Sequence, residues 1–280
     1  MLLSLGVLFG LIGGSLVTRL VMRVPSAAPL AGPNRCYLPS CGRELSRVEA
    51  LPFLGWLWTR GRCQQCGTLV PRWYVLAEVT TILSFTAVAI RYDSFGWLVV
   101  VPWLLVTPLV ALAFIDLQTY RLPNRLVFAS LAMSLVSMVA MVAFGHAEPD
   151  ALIDAMAASL GYFGFLLILH LISPRGMGFG DVKLALVLGL HAGWVAGVLF
   201  EGWVPVARLT FWAVFLGVLS GTLMGLGVAA FRSYVRTDAL ADPDSDGGAE
   251  LNLLKAAFPF GPGLILGTVI VLLFPHWTVG

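Results

Sequence analysis

The sequence is poor in charge: only 11% of its 280 residues are Asp, Glu, Lys or Arg, against roughly 25% in an ordinary soluble domain. The hydrophobic fraction is 59%. A soluble globular enzyme has no interior large enough for that much apolar surface, so this class is excluded. A disordered chain is also excluded, because disorder requires high charge and few aromatic residues. The formal net charge of +2 is too small to indicate a nucleic-acid partner.

The chain also lacks the alternating hydrophobicity of transmembrane β-strands. Its apolar residues run in continuous blocks of the length that a transmembrane helix needs. We therefore predict an all-α polytopic protein, embedded in the lipid bilayer, with about eight transmembrane helices. No basic residue precedes the apolar run of the first block, Arg19 follows that run, and there is no clear cleavage site, so we interpret the block as a retained helix and not as a signal peptide. The predicted spans are Met1–Leu20, Tyr74–Ile90, Phe95–Ile115, Leu126–Phe144, Ala151–Ile172, Val182–Phe200, Leu209–Phe231 and Phe260–Phe274.

Basic residues are distributed unevenly between the two sides of these spans. Eight arginines lie between Arg19 and Arg72. If that segment is cytoplasmic, 15 of the 17 basic residues face the cytoplasm, and only Arg91 and Arg208 lie outside. The positive-inside rule selects this orientation. A second polar segment, residues 232–258, is acidic and glycine-rich, and we expect a solvated cytoplasmic loop there. An alternative role for its acids is to attract a basic ligand.

Cysteine is scarce as well, and all four cysteines lie in the most polar stretch of the chain. Four residues separate Cys36 from Cys41, two separate Cys63 from Cys66, and a glycine follows the second cysteine of each pair. Two such knuckles predict a tetrahedral four-thiolate zinc site of the ribbon type, which is structural because no position stays open for water. Disulfides and free thiols are the alternatives; a reducing cytoplasmic location disfavours disulfides.

Acidic residues inside apolar spans are costly, at about 2.5–3.5 kcal/mol or more each, and therefore indicate function. Asp116, Asp181 and Glu78 all lie near predicted cytoplasmic ends of spans, whereas Asp154 lies near an outer helix N-terminus, where we expect a structural role. Asp116 and Asp181 are predicted to lie at the same depth in the membrane, as a two-carboxylate site requires. In such a site one acid keeps its proton while the other, as the base, activates a water that attacks a carbonyl.

Several residues around the second aspartate are candidates for supporting the site. Gly176, Gly178 and Gly180 leave the backbone beside Asp181 bare, which favours the close approach of an extended substrate. Lys183 either tunes the site or extends toward the membrane interface. The histidines His170 and His191 have no partner at metal-like spacing, and we expect packing or interface roles for them.

These motifs together resemble a known family. Gly178-Phe-Gly-Asp-Val-Lys resembles the signature of intramembrane aspartyl proteases, and with Ile115-Asp-Leu-Gln-Thr-Tyr-Arg-Leu-Pro-Asn it is similar to the type IV prepilin peptidase family, also called leader peptidase and N-methyltransferase. The resemblance covers nearly the whole chain, from Gly10-Leu-Ile-Gly-Gly-Ser-Leu through Pro71-Arg-Trp-Tyr-Val-Leu-Ala-Glu to Phe258-Pro-Phe-Gly-Pro-Gly-Leu. One departure is the wide first cysteine pair, which in the family usually has the spacing of the second.

The resemblance implies an aspartic endopeptidase of the bacterial inner membrane with its active site facing the cytoplasm. The catalytic residues would be Asp116 and Asp181, and the substrates would be prepilins and pseudopilins of type IV pili and type II secretion, cut after a glycine that ends a basic leader. The resemblance also implies N-methylation of the new terminus with S-adenosylmethionine. Glu78 matches a family glutamate associated with that step or with the substrate. No pattern of spacing in the sequence identifies residues that bind S-adenosylmethionine.

The expected domain organisation is a first transmembrane helix (1–20), a cytoplasmic four-cysteine domain (21–73) and a membrane-embedded aspartyl peptidase domain (74–280) that includes the acidic loop 232–258. A different class, an ion-coupled carrier with buried aspartates, is the main alternative. Carriers favour inverted repeats and acids at mid-membrane, and this sequence has neither. A third hypothesis makes the cysteine module an interaction hub that the helices anchor.

Overall fold

The computed structural model describes residues 1–36, 38, 40–46, 48–49, 51, 53–174, 177–239 and 259–279. Regular structure in these residues is helical, and a 3-10 helix over Asp93–Val99 leads directly into α4. The helices are α1 (Leu2–Arg23), α2 (Leu54–Trp58), α3 (Arg72–Arg91), α4 (Val100–Thr119), α5 (Asn124–Ala143), α6 (Pro149–Ile172), α7 (Phe179–Leu199), α8 (Trp203–Ala239), α9 (Gly261–Leu273) and α10 (Pro275–Val279).

Seven helices in the described part of the chain are long and apolar enough to cross a membrane: α1, α3, α4 with its 3-10 lead-in, α5, α6, α7 and the portion Trp203–Val228 of α8. Helix α9 is equally apolar but has only 13 residues. Each of the eight predicted spans corresponds to one of these helices. The prediction of an all-α polytopic protein is therefore confirmed, and the chain is a multi-pass membrane protein.

The largest difference from the sequence prediction is the length of α8. The predicted span ends at Phe231 and the predicted loop begins at residue 232, but α8 continues to Ala239. The physical reason is that residues 232–239 contain neither glycine nor proline, and the first helix breaker after them is Pro243. The rest of the predicted acidic loop, residues 240–258, lies outside the described residues.

The chain divides into two compact units, of which the first comprises Met1–Ile115 and Pro123–Ala147. In this unit α1 packs closely on α3 through glycine. A Cβ atom placed on Gly6 would lie 2.8 Å from Cβ of Ala89, and one placed on Gly10 would lie 2.8 Å from Cα of Ile82. These distances are too short for real side chains, so the glycines are what allow the two backbones to approach.

The second unit comprises Asp116–Leu122 and Glu148–Gly280. Here α7 packs on α6 through Gly189, Gly193 and Gly197, which follow one another at intervals of four residues and share one helix face. A Cβ atom on Gly193 would lie 2.4 Å from the carbonyl oxygen of Asp154. Because α7 begins just before Asp181, this contact determines where that aspartate lies within the unit.

Helices α8 and α9 of the second unit pack against each other through glycine residues on both helices. A Cβ atom on Gly263 would lie 2.2 Å from the backbone nitrogen of Gly221, and one on Gly267 would lie 2.2 Å from that of Gly217. The Ser220 hydroxyl also donates a hydrogen bond of 2.7 Å to the carbonyl oxygen of Gly263. The packing of two rows of small residues fixes the position of α9, whose N-terminus lies at the candidate site.

Candidate active site

Asp116 lies in the last turn of α4 and is buried, with 5% of its surface exposed. Its Oδ2 atom accepts a hydrogen bond of 3.0 Å from the backbone N–H of Gly261, the first residue of α9. The first amides of a helix have no partner inside the helix and carry the positive end of its dipole. The N-terminus of α9 is therefore well suited to hold the Asp116 carboxylate. Sequence reasoning gave Gly261 no role at the site.

Asp181 lies in the first turn of α7, three residues after the N-cap Gly178, and is 6% exposed. Its backbone N–H donates to the carbonyl oxygen of Gly178 at 3.1 Å. Its Oδ1 atom is buried and has no hydrogen-bond partner among the described residues. A buried polar atom without a partner is unusual, since most such atoms are hydrogen-bonded. Oδ1 of Asp181 is thus available to a molecule that enters the site.

The two carboxylates face the same bare stretch of backbone. A Cβ atom placed on Gly261 would lie 2.9 Å from Oδ2 of Asp116 and 3.4 Å from Oδ1 of Asp181. The two oxygens cannot be farther apart than the sum of these distances. The structure therefore brings together the two aspartates that the sequence singled out, and any side chain at position 261 would occupy the space beside them.

The glycines near Asp181 accommodate neighbouring side chains. A Cβ atom on Gly180 would lie 3.0 Å from Cβ of Leu122, and one on Gly178 would lie 3.2 Å from Oδ2 of Asp181 itself. Leu122 also reaches Gly261, because its Cδ1 would lie 3.4 Å from a Cβ there. Gly178 is exposed and Gly180 half-buried; the third predicted glycine, Gly176, lies outside the described residues.

The segment before α7 is held by His170 at the end of α6. The Nδ1 atom of His170 lies 2.9 Å from the carbonyl oxygen of Met177, and its ring centroid lies 5.5 Å from that of Phe179. The ammonium of Lys183 lies 4.7 Å from the same ring centroid, which is a cation–π distance. His170 and Lys183 therefore both contact Phe179, two residues before Asp181.

The remaining polar residues of α6 and α7 lie in helix packing. His191 is buried, with Nδ1 2.9 Å from the carbonyl oxygen of Val187 and Nε2 without a partner in the described chain. Asp154 lies against α7, because a Cβ on Gly197 would come within 2.8 Å of its Oδ2. Both positions are consistent with the packing and structural roles expected from the sequence.

Glu78 belongs to the first unit, whereas the two aspartates belong to the second. Its Oε2 atom accepts a hydrogen bond of 2.7 Å from the backbone N–H of Phe53. Phe53 has the unusual φ of 58° and begins α2 as its N-cap. Glu78 therefore ties α3 to the cysteine module that precedes it.

The four cysteines converge in that module. All are free thiols, and their Sγ atoms lie within 4.8 Å of one another. The Cys36–Cys66 sulfur distance is 3.7 Å, and a tetrahedral zinc site with Zn–S bonds of about 2.3 Å has sulfur–sulfur edges of about 3.8 Å. The wide spacing of Cys36 and Cys41 does not prevent the first pair from joining the second. The donor set therefore fits zinc.

Each cysteine pair is carried by a tight turn closed by backbone bonds. The N–H of Cys36 donates to the carbonyl oxygen of Arg43 at 2.8 Å, and that of Cys63 donates to Thr68 at 2.9 Å. The glycines that follow the second cysteines, Gly42 and Gly67, have φ values of 60° and 70°, a conformation that favours glycine. The backbone amides of Cys66 and Gln65 lower the pKa of the Cys63 thiol to about 6, which favours the thiolate form that binds metals.

The chain matches two family models in succession. Residues 8–92 match the Bacterial Peptidase A24 N-terminal domain, and residues 103–226 match the Type IV leader peptidase family. The first segment contains the four cysteines and Glu78, and the second contains Asp116 and Asp181. The two candidate sites therefore lie in separately matched parts of the chain.

Full-length relatives support the same assignment. The chain is 32% identical over 245 residues to the prepilin leader peptidase/N-methyltransferase of Aeromonas hydrophila, which covers 86% of this chain and 72% of the relative. For the protein of that name from Myxococcus xanthus the identity is 32% over 279 residues, covering 95% and 76%. For the one from Bacillus subtilis it is 28% over 278 residues, covering 98% and 94%.

No solved structure shows a significant match to the chain. The assignment therefore depends on sequence, where identity above 30% extends over more than two thirds of two relatives, and on the membrane helices and cysteine cluster described above. On these grounds the chain belongs to the type IV leader peptidase family and is a membrane peptidase.

Proposed function

We propose that this peptidase removes the basic leader from type IV prepilins and pseudopilins at the bacterial inner membrane, using Asp116 and Asp181 as a catalytic pair. The main observation behind the proposal is that carboxylate oxygens of both buried aspartates lie next to the Cα of Gly261, where there is no side chain. Two carboxylates so close together in a buried site are stable when they share one proton. A pair of this kind supplies both the base and the acid that peptide hydrolysis needs.

The hydrogen bonds of the pair suggest which residue takes which role. The amide of Gly261 donates to Asp116, and such a bond stabilises a negative carboxylate. Asp116 is therefore the base that takes a proton from the attacking water. Asp181, whose Oδ1 has no partner in the described chain, holds the shared proton. It protonates the oxyanion as the water oxygen bonds to the carbonyl carbon. The C–N bond then breaks as Asp116 gives the proton it took from water to the leaving amine, and Asp181 regains its proton from the hydroxyl as the carboxyl product forms.

The distribution of basic residues supports a cytoplasmic site. In the orientation expected from the sequence, 15 of the 17 Lys and Arg residues lie on the cytoplasmic side, and under the positive-inside rule this asymmetry favours a cytoplasmic face for the aspartate ends of α4 and α7. A prepilin whose leader remains in the cytoplasm presents its cleavage site at that depth. The scissile bond after the leader glycine would then lie beside Gly261 and the aspartates.

The relatives are named prepilin leader peptidase/N-methyltransferase, and we propose that this chain likewise methylates the new N-terminus with S-adenosylmethionine. We further propose that the four thiolates hold one structural zinc ion. The thiolates would fill all four positions of a tetrahedral zinc, so the metal would stabilise a module too small to fold on a hydrophobic core. We propose the same domain boundaries as expected from the sequence: residues 21–73 form the cysteine domain, and residues 74–280 form the peptidase domain.

The test is to replace each aspartate by asparagine in detergent-purified protein and to measure prepilin cleavage by mass spectrometry. Asn keeps the shape of the side chain but serves as neither acid nor base. We expect each single variant, D116N or D181N, to lose cleavage almost as completely as the double variant, because the pair acts as a unit. The matched control is D154N, which changes another acid of the membrane helices and should retain cleavage.

Substantial turnover by either single variant, with D154N also active, would refute the two-aspartate mechanism. The same mass measurement reports methylation separately, because the mature product gains the mass of one methylene group. Cleavage without methylation would support the peptidase and contradict the transferase.

A further inference from the structure

The cysteine module has an exposed apolar patch, although it belongs to the most polar stretch of the chain. Five large apolar side chains between residues 51 and 58 are 40–73% exposed: those of Leu51, Phe53, Leu54, Leu57 and Trp58. Single exposed apolar residues are common on proteins, but a group of large ones in one short segment indicates a surface that binds a partner. The patch therefore requires an explanation in terms of what covers it.

Helix α2, at the centre of the patch, has one face toward the module and one face away from it. Gly55 is buried, and a Cβ atom placed on it would lie 2.3 Å from the carbonyl oxygen of Glu49. The helix therefore packs on the module through this glycine. Leu54, Leu57 and Trp58 have the spacing i, i+3 and i+4, which places them together on one helix face. Because all three are more than half exposed, this apolar face of α2 points away from the module.

The hydrogen bond between Phe53 and Glu78 fixes the depth of α2 along a membrane helix. The N–H of Phe53, the N-cap of α2, donates to Oε2 of Glu78 at 2.7 Å. Glu78 lies six residues after Arg72, the first residue of α3, which is about 9 Å along the helix axis. The 20 residues of α3 extend about 30 Å, the thickness of the hydrocarbon core of a bilayer. The start of α2 therefore lies beside the first turns of a transmembrane helix, at the level of the membrane surface.

The residues in and after the patch have the chemistry of a membrane-surface element. Tryptophan is enriched where the bilayer meets water, and interfacial helices combine Leu, Phe and Trp on one side with Arg or Lys nearby. Arg60 follows Trp58 by two residues, is exposed, and forms no ion pair with a described residue. Anionic phospholipid headgroups attract such a basic side chain. Both the apolar and the charged parts of the segment therefore match a bilayer surface that contains anionic lipid.

We propose that α2 is an interfacial anchor: its apolar face, Leu54, Leu57 and Trp58, inserts among the lipids at the membrane surface, and Arg60 contacts anionic phospholipid headgroups. In the orientation proposed above, this surface belongs to the cytoplasmic leaflet. The cysteine module then lies on the membrane and does not extend freely into the solvent. A bilayer is favoured over a protein partner because the bond to Glu78 holds the patch at membrane depth. The proposal requires neither the two-aspartate mechanism nor the methyltransferase activity.

The first experiment asks directly what covers the patch. The photo-crosslinking amino acid benzoylphenylalanine replaces either Trp58 or Glu44 in the full-length protein, which is reconstituted in phosphatidylcholine nanodiscs and irradiated. Glu44 is the matched control, because it is an exposed residue of the same module outside the patch. We expect mass spectrometry to find phospholipid adducts at position 58 and none at position 44. Crosslinks from position 58 to a protein, or lipid adducts at neither position or at both, would overturn the proposal.

The same crosslink tests the contact of Arg60 with anionic headgroups. In nanodiscs that mix phosphatidylcholine with phosphatidylglycerol, the two lipids give adducts of different mass. We expect phosphatidylglycerol to be enriched among the adducts at position 58 relative to its share of the nanodisc. The variant R60Q should keep the lipid adducts but lose the enrichment. Enrichment that is unchanged in R60Q would contradict the assignment of Arg60.

Limited proteolysis in nanodiscs measures how firmly α2 is held. Trypsin cleavage after Arg60 should be at least about tenfold faster in L57S and W58S than in the wild type, since each variant loses the burial of one large apolar side chain in the lipid. The conservative variants L57M and W58F keep that burial and should be cleaved at the rate of the wild type. Equal rates for the serine and the conservative variants would refute the anchor. Thermal unfolding checks the fold of each variant, and the crosslink at position 58 decides if a serine variant unfolds at a lower temperature.

Discussion

The contact between α8 and α9 provides a test of how the aspartates are positioned. A Cβ atom on Gly267 would lie 2.2 Å from the backbone nitrogen of Gly217, while relaxed carbon contacts are about 3.5–4.0 Å. The variant G267A therefore requires the two helices to separate by more than about 1 Å. Gly267 lies more than one helical turn from Gly261, so any effect at the site must be transmitted by movement of α9.

The expected effects follow from that displacement. The bond from Gly261 N–H to Asp116 is 3.0 Å, and a shift of about 1 Å takes it beyond hydrogen-bonding distance. Overpacking of this kind costs about 1–3 kcal/mol of stability. A catalytic group that is misplaced by about 1 Å typically costs about 100-fold in rate. We therefore expect G267A to unfold at a lower temperature and to lose about 100-fold in kcat/KM for prepilin cleavage.

The matched control is G227A, on α8 itself. A Cβ atom at Gly227 meets nothing within 4 Å, so alanine there should leave cleavage unchanged and stabilise the helix slightly, since alanine is the better helix former. Both variants add the same methyl group, and they differ only in what that group touches. A G267A protein with the unfolding temperature and kcat/KM of the wild type would refute the argument that glycine packing positions the site.

Two further predictions concern the cysteine module. Elemental analysis should find about one zinc per chain. The C63S variant should lose the metal, and its cysteine module should unfold at a lower temperature than that of the wild type. Zinc retained at full stoichiometry in C63S would show that the metal binds elsewhere. The Arg23 guanidinium donates to the carbonyl oxygens of the five consecutive residues 29–33, a fan of bonds that the compact ammonium of lysine cannot reproduce. R23K should therefore make the loop 29–33 more sensitive to limited proteolysis, and the control R72K should not. Equal proteolysis of the loop in both variants would contradict the inference that Arg23 stabilises it.

The helices could be predicted from the sequence because their signal is local. Continuous apolar blocks predict spans wherever they occur, and each predicted span corresponds to a helix. The ends were less predictable: α8 runs eight residues beyond its predicted end, to Ala239, because hydropathy falls at Arg232 although nothing there breaks a helix. Polarity marks where a helix leaves the membrane, and glycine or proline marks where it stops.

The candidate site could be predicted only in part. Asp116 and Asp181 were identifiable because a carboxylate in an apolar span is costly, and the cysteines because their spacing resembles a metal site. Gly261 was missed because its contribution is a backbone amide, and every residue except proline has one. The signal available in the sequence was the Gly-Pro-Gly start of the last helix, since proline in a first turn marks a helix N-terminus, where the first amides have no partner inside the helix.

Glycine rows explain why these groups meet at all. Between helices in lipid, burying apolar surface gives little driving force, because lipid tails are as apolar as the side chains. Close packing of small residues replaces it, and in the second unit it acts on both sides of the site. Gly189, Gly193 and Gly197 position α7 and hence Asp181, while Gly263 and Gly267 position α9 and hence the amide that holds Asp116.

Hydropathy does not detect such rows of glycine, because glycine contributes almost nothing to it, but their spacing of four residues is present in the sequence. A search for paired rows of small residues beside intramembrane acids would therefore have indicated which helix ends form the site.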